Sequence, residues 1–389
     1  MKPLAVTGAG VASALGVGNA AFVEGLRSGP PAARRVGRPE TFDATKYPRV
    51  RVVEVAGFDA AKYLGYKGLR SLDRLTKLLV VATRLALHDA GLKRDGAWTA
   101  GSPEGVGMVV SNAYGSLEAI TELDRVATLE DARYINPSRF PLTVSNSAAG
   151  YASIWEDLRA LNVSVSDGNC GALDAVACAT VFLEQGRAEA LLVGGAEAMS
   201  EALAFAFDRL GAVADGACLG EGAAILAIES PGVASRRGAR VLASIAGYGT
   251  AFVPPARDGS LVYASPDSVG RAITAALADA GAKASDIDVV VSGVSGLRPF
   301  DEAEMRAIGQ VVGEQTCVVA PKLALGETSG AAGAMAMLAA TALFGEATPE
   351  HYQRYALRGA LRAQPRTALV TSAGYYGNAS ALVMRHPSR

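Results

Sequence analysis

Histidine is nearly absent from this chain: three residues in 389, at positions 88, 351 and 386. His88 lies in a helix that ends at Ala90-Gly91, and the other two fall in polar C-terminal stretches, so each reads as a surface or structural residue. The four cysteines, at 170, 178, 218 and 317, show neither paired nor metal-ligand spacing. That pattern excludes a disulfide scaffold, gives no reason to expect a metal, and suits a reducing cytoplasm. An excess of charge is missing too: the net charge of -1 argues against nucleic acid or a membrane surface as the main partner. The first apolar run is broken by Gly8, Gly10, Gly16 and Gly18 and begins like a strand, which excludes a signal peptide. No charge occurs from Thr328 to Gly345, but its alanine and glycine content predicts a buried core helix and not a membrane span.

What is present is apolar bulk and repetition. With 50% hydrophobic residues, the chain can build two domain-sized halves or one large duplicated domain. Leu87-His88-Asp89-Ala90-Gly91 ends a helix and leads to a strand at Val106 to Val110; Leu277-Ala278-Asp279-Ala280-Gly281 does the same before Val289 to Val291. The glycine at each helix end supplies a left-handed cap, and the β-branched runs that follow fit buried strands. An alanine-rich helix from Gly171 to Gln185 then leads to Leu191-Leu192-Val193, and its counterpart from Gly330 to Leu343 leads to Ala368-Leu369-Val370. Alternating strands and helices in duplicate predict a layered α/β architecture, with halves at 1–235 and 240–389 and a linker near Pro231 to Arg240. Gly8-Ala9-Gly10-Val11-Ala12-Ser13 imitates a dinucleotide fingerprint, but Ser13 takes the third glycine position and no acid ends a clear second strand, so no cofactor is expected there.

The segment Ser164-Val165-Ser166-Asp167-Gly168-Asn169-Cys170-Gly171-Ala172-Leu173-Asp174-Ala175-Val176, followed by Gly194-Gly195-Ala196-Glu197, resembles the nucleophile elbow of β-ketoacyl-ACP synthases. Val6-Thr7-Gly8-Ala9-Gly10-Val11, Pro141 to Gly150, Leu219-Gly220-Glu221-Gly222-Ala223, Asp301-Glu302-Ala303-Glu304, Pro321-Lys322 with Gly330-Ala331-Ala332-Gly333, and Gly374-Tyr375-Tyr376-Gly377 follow in that family's order. The resemblance implies a thiolase fold, a duplicated five-layer αβαβα architecture. It also implies a Cys-His-His site, and here all three positions are changed. Asn169 stands on the cysteine position, Gly293 on the first histidine and Glu327 on the second, while Lys322 persists. An amide is not a nucleophile, so the acyl-accepting step has no group to perform it. Lys322 reads as an ion-pair partner of Glu327 five positions on.

Loss of this kind resembles the chain-length factor, the ketosynthase β subunit of type II polyketide synthases. Two departures stand out: asparagine replaces that subunit's usual glutamine, and the segment between Phe207 and Leu219 is short. The resemblance implies a non-catalytic subunit that binds no cofactor of its own, pairs with an active ketosynthase α subunit, and acts with phosphopantetheinylated acyl carrier protein. The pairing strand would be Asn162, Val163, Ser164, Val165 and Ser166, and Tyr114, Leu117 and Ile120 would line the substrate channel. Two other readings stand beside it: an independent acyltransferase or hydrolase using Cys170 or Glu327, or a stabilising scaffold. Cys170, at a helix N-terminus where a thiol pKa is lowered, is the candidate cryptic nucleophile. Asn169 has two candidate roles, capping that helix or facing the channel.

Overall fold

The computed structural model describes residues 1–29, 39–211, 213, 217–255, 262–345 and 349–387. Part of the short segment between Phe207 and Leu219, at 212 and 214–216, therefore lies outside the described residues. Ten principal strands carry the fold: β1 Leu4–Ser13, β2 Val106–Ser111, β3 Asn162–Val165, β4 Ala190–Glu197, β5 Gly222–Glu229, β6 Ala243–Phe252, β7 Val289–Val291, β8 Cys317–Val319, β9 Thr367–Ala373 and β10 Asn378–Arg385. The first five lie in the order β3-β2-β4-β5-β1 and the second five in the order β8-β7-β9-β10-β6. Each set thus repeats the other strand for strand. In each, the fifth strand runs antiparallel to both neighbours and the rest pair in parallel. β1 and β6 join the two sets through Leu4–Val6 against Ala243–Ile245.

Period-two alternation distributes the strand residues between layers. On β5, Ala224, Leu226 and Ile228 face a central layer while Ala223, Ile225 and Ala227 face an outer one. On β10, Leu382 and Met384 face the centre, whereas Ala379, Ala381 and Val383 face the opposite outer layer. The centre is filled by helices Gly171–Glu184 and Ala332–Gly345, the outer layers by Arg74–Asp89 with Ser147–Glu156 and by Pro266–Asp279 with Arg298–Val312. Five layers result, as the resemblance implies. Ala332–Gly345 is buried around nearly its whole circumference, which is why it carries no polar face.

The glycines that imitate a dinucleotide fingerprint serve helix packing. A Cβ on Gly8 would stand 2.4 Å from the Ala90 nitrogen, and one on Gly10 would stand 2.1 Å from the Ala82 oxygen. Gly247 and Gly249 meet Ala280 and Ala272 in the same way, so the repeat extends to this close approach of strand and helix. The expected linker holds a short helix, Pro231–Arg236, capped by Ser230, whose side chain accepts from the Val233 amide.

Candidate functional site

β3 delivers the chain into a turn at Gly168–Cys170 and then into the central helix Gly171–Glu184. Gly168 has φ 53°, a left-handed conformation that glycine adopts without strain. Asn169 follows, 4% exposed, with its backbone oxygen accepting from Ser372 Oγ at 2.9 Å. Its side-chain nitrogen approaches Glu327 Oε2 at 3.5 Å, and Asn169 Oδ1 is buried without a hydrogen-bond partner among the described residues. No side chain caps the helix, so the capping role is not the one Asn169 plays. The amide is drawn across the interface between halves by a group 158 residues away.

Glu327 is held from three directions. Lys322 Nζ donates to its two oxygens at 2.8 and 3.1 Å, and the Ser329 amide donates at 2.8 Å. Both members of the ion pair are buried, and a pair so enclosed is costly to break from one side. Ser329 itself has φ 42°, strained for a residue with a side chain. Gly293 sits two residues beyond the end of β7, and its amide donates to Glu304 Oε1 at 2.7 Å. A Cβ there would meet Glu304 Oε2 at 3.0 Å and the Thr371 oxygen at 3.2 Å. A buried carboxyl group therefore occupies the surroundings in which a larger side chain at 293 would have to fit, and burial pushes its pKa up.

Cys170 behaves contrary to the expectation of an activated thiol. It is fully buried, its Sγ donates to the Ser372 oxygen at 3.5 Å, and burial, with Asp174 and Asp167 beside it, pushes the thiol pKa well up. The helix-terminal field is outweighed by desolvation. None of the histidines reaches the site: His88 and His351 are exposed, and His386 rests edge-on against Phe344.

The three channel candidates separate. Tyr114 and Leu117 pack on a cluster containing Met199, Leu203, Phe207, Leu297 and Tyr375, whereas Ile120 on helix Leu117–Arg125 is 37% exposed. Burial, and then the nearby charges of Glu197 and Glu327, raise the Tyr114 pKa. Glu197, the last residue of β4, has no role in the sequence reading, yet its carboxylate gathers three backbone amides: Ala113 at 2.7 Å, Gly330 at 3.2 Å and Tyr114 at 3.4 Å. Its position after Gly194-Gly195 was the one available signal. Among the described residues, the strand Asn162–Val165 pairs in parallel with Val106–Ser111 only, which leaves its other edge open to them; Ser166 lies beyond it and is exposed. No helix among the described residues is long and apolar enough to cross a membrane, and none of their His, Cys, Asp and Glu groups forms a cluster able to hold a metal ion.

The β-ketoacyl synthase N-terminal domain matches residues 1–231, and the C-terminal domain of the same enzymes matches residues 242–349. The chain belongs to the β-ketoacyl synthase family. Among its relatives, a putative polyketide β-ketoacyl synthase 2 of Streptomyces coelicolor is 30% identical, over 98% of this chain and 94% of that protein. The tetracenomycin polyketide synthase ketoacyl synthase alpha subunit of Streptomyces glaucescens is 29% identical, over 99% and 97%. The solved structure of the ishigamide ketosynthase/chain length factor superposes with a TM-score of 0.86 and 25% identity, covering 100% of both chains. Within this β-ketoacyl synthase scaffold, the groups at the elbow and at the two facing loops are an amide, a salt-bridged carboxylate and a glycine. Such a set can bind through hydrogen bonds, and neither its amide nor its glycine is a nucleophile.

Proposed function

We propose that this chain is a non-catalytic ketosynthase-like subunit that heterodimerises with an active ketosynthase and shapes the acyl channel of a type II polyketide or fatty-acid-like synthase. The observation that carries the reading is Asn169, held at the elbow beside the Lys322–Glu327 pair where the family's nucleophile and second histidine would stand. The open edge of Asn162–Val165 supports pairing, because an unpaired row of backbone donors and acceptors is a template for a partner strand. The two halves, taken as 1–235 and 240–389, would contribute one site that has changed its use. The growing chain would stay on the partner's cysteine, with extender units arriving on phosphopantetheinylated acyl carrier protein in the cytoplasm. An independent acyltransferase or hydrolase through Cys170 is disfavoured by that thiol's complete burial.

Co-expression with the partner synthase tests it. Leu117→Ala should deepen the channel and lengthen the products, and Leu117→Trp should shorten them. Leu→Ala in a closed core costs about 2–5 kcal/mol, and the half-buried Leu117 should fall at or below the lower end of that range. Unchanged product length in complexes that still assemble and turn over would leave only a scaffold role.

A further inference from the structure

Two loops of different origin meet at Glu197. One is the root of the segment carrying Tyr114 and Leu117, and the other is the turn after Glu327. Glu197 Oε2 accepts from the Ala113 amide of the first and the Gly330 amide of the second, while Oε1 accepts from the Tyr114 amide. The carboxylate is 1% exposed, so no water competes for these donors and an unmet amide there would be costly. An independent contact presses the same two loops together: a Cβ on Gly330 would stand 2.5 Å from Asn112 Cα and 2.6 Å from the Ala113 nitrogen. Gly195, two residues before Glu197, is in turn so close to the Gly330 oxygen that its Cβ would lie 2.1 Å away. The turn is therefore wedged between β4 and the root of the channel segment, with no side chain to act as a cushion.

We propose that Glu197 is a positioning residue for the channel gate, locking the root of the Tyr114–Ile120 segment to the Glu327–Gly330 turn so that the two shift as one body. This rests on the reading of that segment as the gate. It follows that the altered loop takes part in setting product length: Glu327 fixes the Ser329 amide, the next amide along binds Glu197, and Glu197 fixes Ala113 and Tyr114. Glu197 touches no substrate in this scheme. It acts through the backbone it holds.

Glu197→Gln tests this with the shape kept and one acceptor oxygen replaced by a donor facing an amide. Expressed with the partner synthase, the assembled complex should change its ratio of longer to shorter products at least twofold, and Glu197→Asp should bring the ratio part of the way back. Leu117→Ala is run beside it. A shift with Leu117→Ala but none with Glu197→Gln overturns the positioning role and leaves the gate reading intact; no shift with either removes both. Should Glu197→Gln fail to assemble, hydrogen exchange on the wild-type complex decides. The amides of Ala113, Tyr114 and Gly330 should share one protection factor. Fast exchange at Ala113 and Tyr114 with Gly330 protected would refute the lock.

Discussion

Returning a cysteine to position 169 asks whether the site has lost one atom or its whole electrostatic setting. In Asn169→Cys the new sulfur would take roughly the place of the amide carbon, one bond short of the nitrogen that lies 3.5 Å from Glu327 Oε2. Two unit charges about 4 Å apart interact by about 4 kcal/mol at an effective dielectric of about 20, equivalent to about 3 pH units on a thiol. Lys322, at 2.8 and 3.1 Å from the same carboxylate, offsets most of this and leaves an upward shift of about 1 unit. A free cysteine with a pKa of about 8.5 is about 3% thiolate at pH 7, and one unit more makes it about 0.3%. Burial at a site only 4% exposed adds to this shift, so iodoacetamide followed by intact mass should modify Asn169→Cys at least about tenfold more slowly than a free cysteine. Adding Glu327→Gln removes the anion, keeps the cation of Lys322 and reverses the sign, so the double variant should react about 30- to 100-fold faster than the single one. The wild-type protein should gain no adduct at Cys170, and none from acyl carrier protein. Equal rates for the two variants within twofold, or acyl transfer onto Asn169→Cys alone, would refute the reasoning.

Lys322→Met alone should lower stability in urea by about 3–5 kcal/mol, because it leaves the buried Glu327 unpaired. Lys322→Met with Glu327→Leu should lose much less, and equal losses would mean that the pair is not acting as a unit. Asp174 gives a pH dependence: burial, and then the neighbouring Asp167, raise its pKa from 3.8 to about 7. The folded state then holds a proton that the unfolded state releases, so stability falls as pH rises from about 4 to about 7 and levels off above. Three pH units correspond to about 4 kcal/mol at most. Urea titrations at pH 5, 6, 7 and 8 should show a shallower decline in Asp174→Asn, and parallel declines would dismiss the assignment.

The sequence exposes the duplication because its signals are local. Gly91 and Gly281 sit at helix ends with φ 66° and 57°, and the β-branched runs beyond them stay within one element. The Lys322–Glu327 pair was legible for the same reason, since its members are five residues apart. What stayed hidden depends on distant parts of the chain. Asn169 looks like a cap until Glu327 is brought to its side chain, and Cys170 looks activated until Ser372 and the core close over it. The acid at 304 was visible within a motif, but nothing local showed that it holds the Gly293 amide. Leu117 and Ile120, three residues apart, look equivalent on a helix; only the packing of Met199 and Phe207 sends one inward and leaves the other out.

The junction of β1 with β6 makes a single twelve-stranded sheet whose path ends at Asn162–Val165 on one side and at Ala356–Arg358 on the other. Most of its pairings join residues far apart in sequence: Ala5 meets Glu229, and Gly171–Glu184 is sealed only when the C-terminal strands arrive. A chain with such distant contacts folds slowly and stays sticky for longer while it does so. One of its two edges is Asn162–Val165, the strand proposed to pair. If a partner strand covers that edge, as proposed above, an orphaned copy becomes a candidate for aggregation and proteolysis, a form of dosage control that needs no regulator beyond the strand itself.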